Sequence, residues 1–592
     1  MLLRQYFLVS LLCCVALLRY FYLSEVPLDS GDGLAHFFIA QHVWQNPAEL
    51  LNHWGKPLFT LFAAPFAYFG YKTYVCFNVL IYCSTLYVAF LVSKKLKFQS
   101  SLLLIYPLGL LTSLDYTGNI LGGMTEVFFG FLVLLSCLLL IQKRWIWFAV
   151  LVSFLPFSRS EGQIMIPLAL LVLVYFKAWK AIPFLFFGFL MYACVGFFAL
   201  GEFWWYFTQN PYTGASEIYG HGSWMHYINF WYVHLGVFGL ALLILVLPSF
   251  FYVIAHKKID SSRILAFCYL GVIYFGILFT HMVLWAYGKN GALGLTRLAI
   301  HGWPGLLLGS LWVLDSVIVK LHFKKAFAWF SIAFCVFLAV YFPFIDDKPF
   351  PKIAQPDERA VLDATDFTER LSVANKINRV YYYHPLVALA AGVNLKDTLG
   401  VYIQKSFENF ESDFRSIQSN DLIILDAHFG FRDMNFPREK LVLFDELVRI
   451  TPLNQYVHKE KEVASVRVLR LANRALTIDS APMVLFDSLF SCKAGVEFIP
   501  MLELPTRDFM SQHQKFQISS SLNTLVENPL IFLVVQSVES GASITFEIGA
   551  INEWDFSLNR QLAKSFKFFI HNPNGVEGTL TTKIKLLDAF SG

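Results

Sequence analysis

Charge is scarce in this chain. Asp, Glu, Lys and Arg make up only 15% of 592 residues, against 56% hydrophobic and 17% aromatic ones. The mean hydropathy of +0.54 lies beyond what soluble domains usually reach. A formal net charge of +4 is too small to suggest a nucleic-acid partner. Cysteine is nearly absent from the polar part: eight of the nine lie in the apolar part, where the residue is usually a small hydrophobe. Cys492 alone lies in the polar part, so no intrachain disulfide can form there, and no pair has zinc-type spacing. No internal repeat is visible, and no glycine fingerprint for nucleotide or phosphate follows any strand-like run.

What is present is hydrocarbon in blocks. Residues 1 to about 345 carry repeated apolar runs of roughly 15–25 residues, the length of a membrane-spanning helix. The first run, ending at Leu23, resembles a signal sequence but lacks a small-x-small cleavage site before Asp29, so it reads as an uncleaved transmembrane helix. Further candidate spans are 73–93, 100–114, 120–141, 145–158, 162–178, 181–200, 227–255, 264–287, 292–318 and 326–344. Residues 57–70 are apolar but short, with Pro57 and Pro65 at the start and middle. Fourteen residues rise only about 21 Å as a helix, less than the hydrocarbon core.

The lysines and arginines arbitrate. If 57–70 does not span, Arg4, Lys94, Lys95, Lys97, Lys143, Arg144, Lys177, Lys180, Lys257, Lys258, Arg263, Lys320, Lys324 and Lys325 fall on one face. By the positive-inside rule that face is the cytoplasm. The expectation is eleven spans, N-terminus inside and C-terminus outside. Asp29, Asp32, His36, Lys56, Asp115, Arg159, Glu161, the loop 201–226 and everything after about 345 then share the non-cytoplasmic face. Transporters usually place ionisable groups near the midplane; here they gather at a boundary.

The first loop, Asp29 to His36, is acidic and is followed by His53-Trp54-Gly55-Lys56-Pro57. Residues 33–44 read as an amphipathic helix with Phe37, Ala40, Val43 and Trp44 on one stripe. Asp32 stands at its N-cap or first turn, where a carboxylate is favoured on structural grounds alone. The other reading is a catalytic base aimed at an acceptor hydroxyl, with Lys56 nearby. An acidic motif after the first span, a juxtamembrane helix and an aromatic-x-Lys-Pro segment resemble the GT-C superfamily of integral-membrane glycosyltransferases. The similarity is greatest to the protein O-mannosyltransferase and lipid A aminoarabinose transferase branch, whose members carry Asp-Glu and Lys-Pro-Pro-Leu. This chain has Asp32-Gly33 and Lys56-Pro57-Leu58, so the Glu and one proline are missing. The resemblance covers about residues 1–345. It implies that Asp32 is the base, with Asp29 in reserve, that Lys56 contacts donor phosphate, and that the donor is a polyprenyl-phosphate sugar.

Other polar residues carry two readings each. Arg159 and Glu161 either tie a tight turn or bind donor phosphate or sugar. Arg297 either snorkels outward or makes a second phosphate contact. His36 and Trp54 join the donor-side candidates. Glu126, near an end of its span, either faces a cavity or pairs with a histidine. The segment 201–226 is rich in aromatics, as interfacial belts are; Tyr219, His221 and His226 are its candidates for an acceptor or donor cleft. Asp29, Asp32 and Glu161 could hold a divalent metal ion, though their spacing demands none.

Past the apolar part, residues 346–477 read as a soluble α/β domain, with strands at 379–383 and 421–426 and helices at 386–391 and 438–450. Residues 478–592 read as a β-sandwich of short strands. The fold class is thus a polytopic α-helical membrane domain (1–345) with two non-cytoplasmic soluble domains. The function expected is transfer of a sugar from a polyprenyl-phosphate donor to a lipid, glycan or protein acceptor at a bacterial cytoplasmic membrane. A lipid or glycan transporter and a non-catalytic envelope assembly protein are the rivals.

Overall fold

The computed structural model describes residues 2–209, 221–231, most of 235–246, 261–289, 294–320, 351–374, most of 377–434 and a few isolated positions between; beyond 447 it describes the strands named below. The chain divides into two compact units, Met1–Ala354 and Gln355–Gly592. The first unit runs nine residues past the expected boundary at 345 because its last stretch is fastened to the first loop. Glu25 N donates to Lys352 O (2.9 Å), Lys352 N to Ser24 Oγ (3.0 Å) and Lys352 Nζ to Pro27 O (2.9 Å).

The first unit is helical: α1 (Leu2–Leu23), α2 (Asp32–His42), α3 (Pro57–Ala67), α4 (Tyr71–Leu96), α5 (Ile105–Leu111), α6 (Leu114–Leu121), α7 (Thr125–Ile141), α8 (Trp145–Ser158), α9 (Gly162–Tyr175), α10 (Phe187–Leu200), α11 (Ser261–Tyr287) and α12 (Trp303–Lys320). In α1, Tyr6, Cys13, Leu17 and Phe21 are buried while Leu8, Leu11, Leu12 and Val15 are exposed. Both stripes are apolar and both follow the helical period, so one faces protein and the other faces lipid. Phe198 on α10, 86% exposed, makes the same point. Among the described residues five helices are long and apolar enough to cross a membrane, or six if α6 and α7 form one span bent by 109°. The chain is therefore a multi-pass membrane protein.

Four shorter apolar helical segments accompany these spans: Pro57–Ala67, Ser101–Leu111, Trp145–Ser158 and Gly162–Tyr175. Helix α3, expected to be too short to cross, has eleven residues with Pro65 inside it, a rise of about 16 Å. The expected span at 326–344, apart from isolated positions, and the end of the one at 227–255 lie outside the described residues.

The break between α6 and α7 exposes backbone carbonyls inside the bundle, where no water can satisfy them. Side chains of α4 do so instead. Tyr74 OH donates to Gly123 O (2.6 Å), and Asn78 Nδ2 donates to Met124 O (2.8 Å) and Asn119 O (3.3 Å). Gly123 turns the chain at φ +74°.

At the far end of α4, buried Asp315 of α12 accepts from Gln99 N (3.0 Å) and Ser100 N (2.6 Å), and Trp312 Nε1 donates to Leu96 O (3.0 Å). A charged acceptor serving two backbone donors contributes more than a neutral one.

In the second unit, strands β1 (Val380–Tyr382), β2 (Tyr402–Gln404), β3 (Leu422–Asp426), β4 (Leu447–Arg449), β5 (Gln455–His458) and β6 (Lys461–Leu471) form a six-stranded sheet. β1 pairs parallel with β2 and β3; β6 pairs antiparallel with β3, β4 and β5. The expected helix over 438–450 is corrected at its end, where Leu447–Arg449 is a strand. Its apolar residues recur in a pattern a helix shares, but pairing with Leu469–Leu471 decides the state.

Two four-stranded antiparallel sheets follow. One has the order β11-β10-β13-β8 and the other β12-β9-β14-β7. Their members are β7 (Met483–Cys492), β8 (Phe498–Pro505), β9 (His513–Thr524), β10 (Phe532–Ser537), β11 (Ser543–Glu547), β12 (Ile551–Asn559), β13 (Ser565–His571) and β14 (Gly578–Leu586).

Asp315→Leu leaves two buried backbone N–H groups without an acceptor. It should lower unfolding stability by about 3 kcal/mol, with Asp315→Asn milder, in thermal or denaturant unfolding of the detergent-solubilised protein.

Candidate functional site

The site begins where α1 ends. Asp29 Oδ1 accepts from Gly31 N (3.1 Å) and Gly33 N (2.9 Å), so this carboxylate caps the start of α2. Asp32, the first residue of α2, caps nothing. Gly33 follows it for a steric reason: a Cβ there would lie 2.1 Å from Gly122 O, at the break between α6 and α7. The Glu expected after Asp32 in the family pattern therefore has no room.

Arg297 sits in a 3-10 turn, Thr296–Gly302, that leads into α12. Its Nη1 donates to Asp29 Oδ2 (3.1 Å) and its Nη2 to Asp32 Oδ2, while Nε lies 3.6 Å from Glu126 Oε1. Glu126, on the first turn of α7, also pairs with Arg159 Nη1 (3.0 Å). Arg159 further donates to Glu161 through Nε (3.2 Å) and Nη2 (3.0 Å), and to Thr125 Oγ1 (2.7 Å). His281 Nε2 of α11 lies 3.3 Å from Glu161 Oε1, and His301 Nδ1 lies 4.0 Å from it. One chain of polar contacts thus joins the first loop, α7, the α8–α9 turn, α11 and the turn before α12.

The members differ in access. The side chain of Glu126 is 1% exposed and that of Arg159 9%, whereas Arg297 keeps 20% and Asp32 34%. The accessible end of the network is the Asp32–Arg297 pair. Burial pushes the Asp29 carboxyl up, against the pull of Arg297. Burial acts the same way on Asp32, but Arg297 leads the neighbouring cations that outweigh it and hold its carboxyl below the usual range. Burial likewise opposes the charge on Glu161, yet Arg159 leads the neighbours that hold it well below that range. Burial lowers His36 to about 3, so it is neutral at physiological pH.

Lys56 arrives by a separate loop. Asn52 Oδ1 accepts from Trp54 N (2.9 Å) and Gly55 N (3.1 Å), and Thr60 Oγ1 donates to Gly55 O (2.7 Å). These bonds fix a turn in which Lys56 takes φ +61°, just before Pro57 opens α3. Lys56 is 8% exposed and its charge acts on both Asp32 and His36. His53 packs against Trp205 (4.9 Å) and Tyr206 (5.1 Å), while Trp54 is partly exposed.

The structure thus gathers Asp29, Asp32, Arg297, Glu126, Arg159 and Glu161, and brings His36 and Lys56 into their field. Glu126 pairs with two arginines, where a histidine partner was the alternative. His226 turns elsewhere: its Nε2 bonds Gly294 O (2.7 Å) and its ring lies 5.5 Å from Trp285. His221 is exposed; Tyr219 lies outside the described residues. His281 was missed because it is a lone histidine in a long apolar helix. Its only sequence signal is that isolation. No group of three or more His, Cys, Asp and Glu suited to a metal ion occurs among the described residues; the carboxylates take arginines.

No family model and no curated protein matches the chain. Solved structures that are similar to it include the following three. One is ArnT from Cupriavidus metallidurans bound to undecaprenyl phosphate, at TM-score 0.47 and 9% identity over 78% of this chain and 97% of that one. Its apo form gives 0.45, with the same identity and coverage. The arabinosyltransferase EmbB from Mycobacterium smegmatis gives 0.32 and 11% identity over 98% of this chain and 64% of that one.

Two measurements check this geometry. Gly33→Ala forces its Cβ onto the Gly122 carbonyl and should cost about 2 kcal/mol in thermal unfolding. For His36, the folded form stays neutral between its ordinary value of 6.5 and about 3, while the unfolded chain takes up a proton. Stability should therefore fall as pH drops below 6.5, by up to about 1.4 kcal/mol per pH unit. His36→Gln should flatten that slope in melting curves taken from pH 6.5 to 5.

Proposed function

We propose that this protein is a membrane glycosyltransferase that moves a sugar, a hexose or related residue, from a polyprenyl-phosphate donor to a hydroxyl on a lipid, glycan or protein. The observation that supports it most is the Asp32–Arg297 pair, the accessible end of a buried ionic network beside apolar helices. A carboxylate held ionised can accept a proton, and a partly exposed guanidinium can take a phosphate bidentately.

In the resting protein Arg297 occupies Asp32. A donor phosphate competes for the guanidinium, with Lys56 as a second point charge, and frees Asp32 for the acceptor. The acceptor oxygen then attacks the anomeric carbon as its proton passes to Asp32. The bond from that carbon to the phosphate oxygen breaks, and the electron pair leaves on the polyprenyl phosphate. Arg297 and Lys56 stabilise the developing charge where water is sparse. Asp29 positions α2 and Arg297; its carboxylate is the reserve base. Arg159, Glu126 and Glu161 hold the scaffold, since the arginine is spent on three partners. His36 and Trp54 border the donor side, and exposed His221 is the candidate for the acceptor cleft.

The lysine and arginine distribution supports eleven spans in the cytoplasmic membrane, with the N-terminus in the cytoplasm and the site outside. Residues 346–477 and 478–592 would then be extracytoplasmic domains, the second with its two sheets packed as a sandwich. Their proposed role is to hold acceptor or partner.

In membranes supplied with a labelled polyprenyl-phosphate sugar, Asp32→Asn should slow transfer about 10²–10⁴-fold. Asp29→Asn keeps an oxygen for Gly31 N and Gly33 N and should cost far less. Undiminished transfer by Asp32→Asn removes the assignment of the base.

A further inference from the structure

A second charged place lies at the opposite end of α8 and α9. Both helices have fourteen residues, so their far ends lie about 20 Å from the Arg159–Glu161 turn. There a cavity of about 920 Å³ is lined by Lys143, Arg144, Lys177 and Lys180, with Trp145 and Trp179 among its aromatic walls. The ring of Trp145 stacks on Phe176 at 4.7 Å. All four cations are exposed, and none has a carboxylate partner among the described residues. The sequence explains why: no Asp or Glu lies between Glu126 and Glu161, or between Glu161 and Glu202.

Two of these lysines hold an uncommon backbone. Lys143 (φ +57°) and Lys177 (φ +55°) end α7 and α9 in the left-handed region that glycine ordinarily fills. A lysine pays a conformational cost there, which its charge near a helix C-terminus offsets in part. The convergence of both on one aromatic-walled cavity is not a requirement of capping.

We infer that this cavity binds the phosphate-bearing headgroup of an anionic phospholipid at the membrane surface remote from the ionic network. Basic pockets between spans suit such headgroups, tryptophans sit at headgroup depth, and arginine can grip a phosphate with two donors. With no carboxylate in the cavity to meet a choline or ethanolamine cation, a net-negative lipid is favoured over a zwitterionic one. The volume suits a headgroup with the start of its chains.

The test is native mass spectrometry of the full-length protein in detergent, offered phosphatidylglycerol and phosphatidylcholine in equal amounts. Wild type should retain phosphatidylglycerol with a preference of roughly tenfold, and Arg144→Gln/Lys180→Gln, neither residue in the left-handed region, should lose roughly that factor. Lys97→Gln is the control. Lys97 ends α4 in the same conformation (φ +59°) but does not line the cavity, so its loss should leave binding unchanged. Lys143→Arg/Lys177→Arg/Lys180→Arg keeps the charge and should keep the preference. Inorganic phosphate should not displace the lipid. Wild-type binding by the double variant, an equal loss in Lys97→Gln, loss of preference in the arginine variant, or displacement by inorganic phosphate would each overturn the inference.

Discussion

Two arginines among four carboxylates, in a space that water barely reaches, set the conditions for the rest of the membrane unit. An ion moved out of water costs several kcal/mol even after relaxation, and only close partners return that energy. Arg159 must therefore lie where Glu126, Glu161 and Thr125 converge, and Arg297 where Asp29, Asp32 and Glu126 do. Those partners belong to the first loop, α7 and the α8–α9 turn. The ionic requirement consequently fixes segments that share no local sequence signal. The network is graded: its inner members are sealed, and Asp32 and Arg297 keep some access.

The same region pays in backbone for its compactness. The bend between α6 and α7 brings the Gly122 carbonyl so close to Gly33 that position 33 cannot carry a side chain, and a Cβ at Gly122 would itself meet Gly118 O at 2.8 Å. Carbonyls freed by the bend are taken up by Tyr74 and Asn78 of α4. The glycine that follows Asp32 is thus a consequence of packing. The network's further acidity comes from Glu126 on α7 and Glu161 in the α8–α9 turn.

Much of this was legible along the chain. Asp32 and Lys56 stand out because charge is rare beside so much hydrocarbon, and Pro57 with Pro65 marks α3 as short. In the second unit β11, Ser543–Glu547, carries its alternation openly. Other features gave no local signal. The partner of Glu126 could be read as a histidine, and only the fold supplies two arginines instead. His281 looks like any core histidine of an apolar helix. Leu447–Arg449 is compatible with a helix until β6 offers it a ladder of backbone bonds.

By itself the sequence determined that the chain is membrane-embedded, which few residues are charged, and on which helix ends the lysines gather. Hydropathy and periodicity are properties of neighbouring residues, so no tertiary information is needed to read them. Only the tertiary structure decided which charges meet. Asp29 and Arg297 are 268 positions apart, and whether they form a pair depends on the path of every helix between them. The acidic first loop acquired its chemistry from that path, because a carboxylate in a low-dielectric site is defined by the cation brought to it.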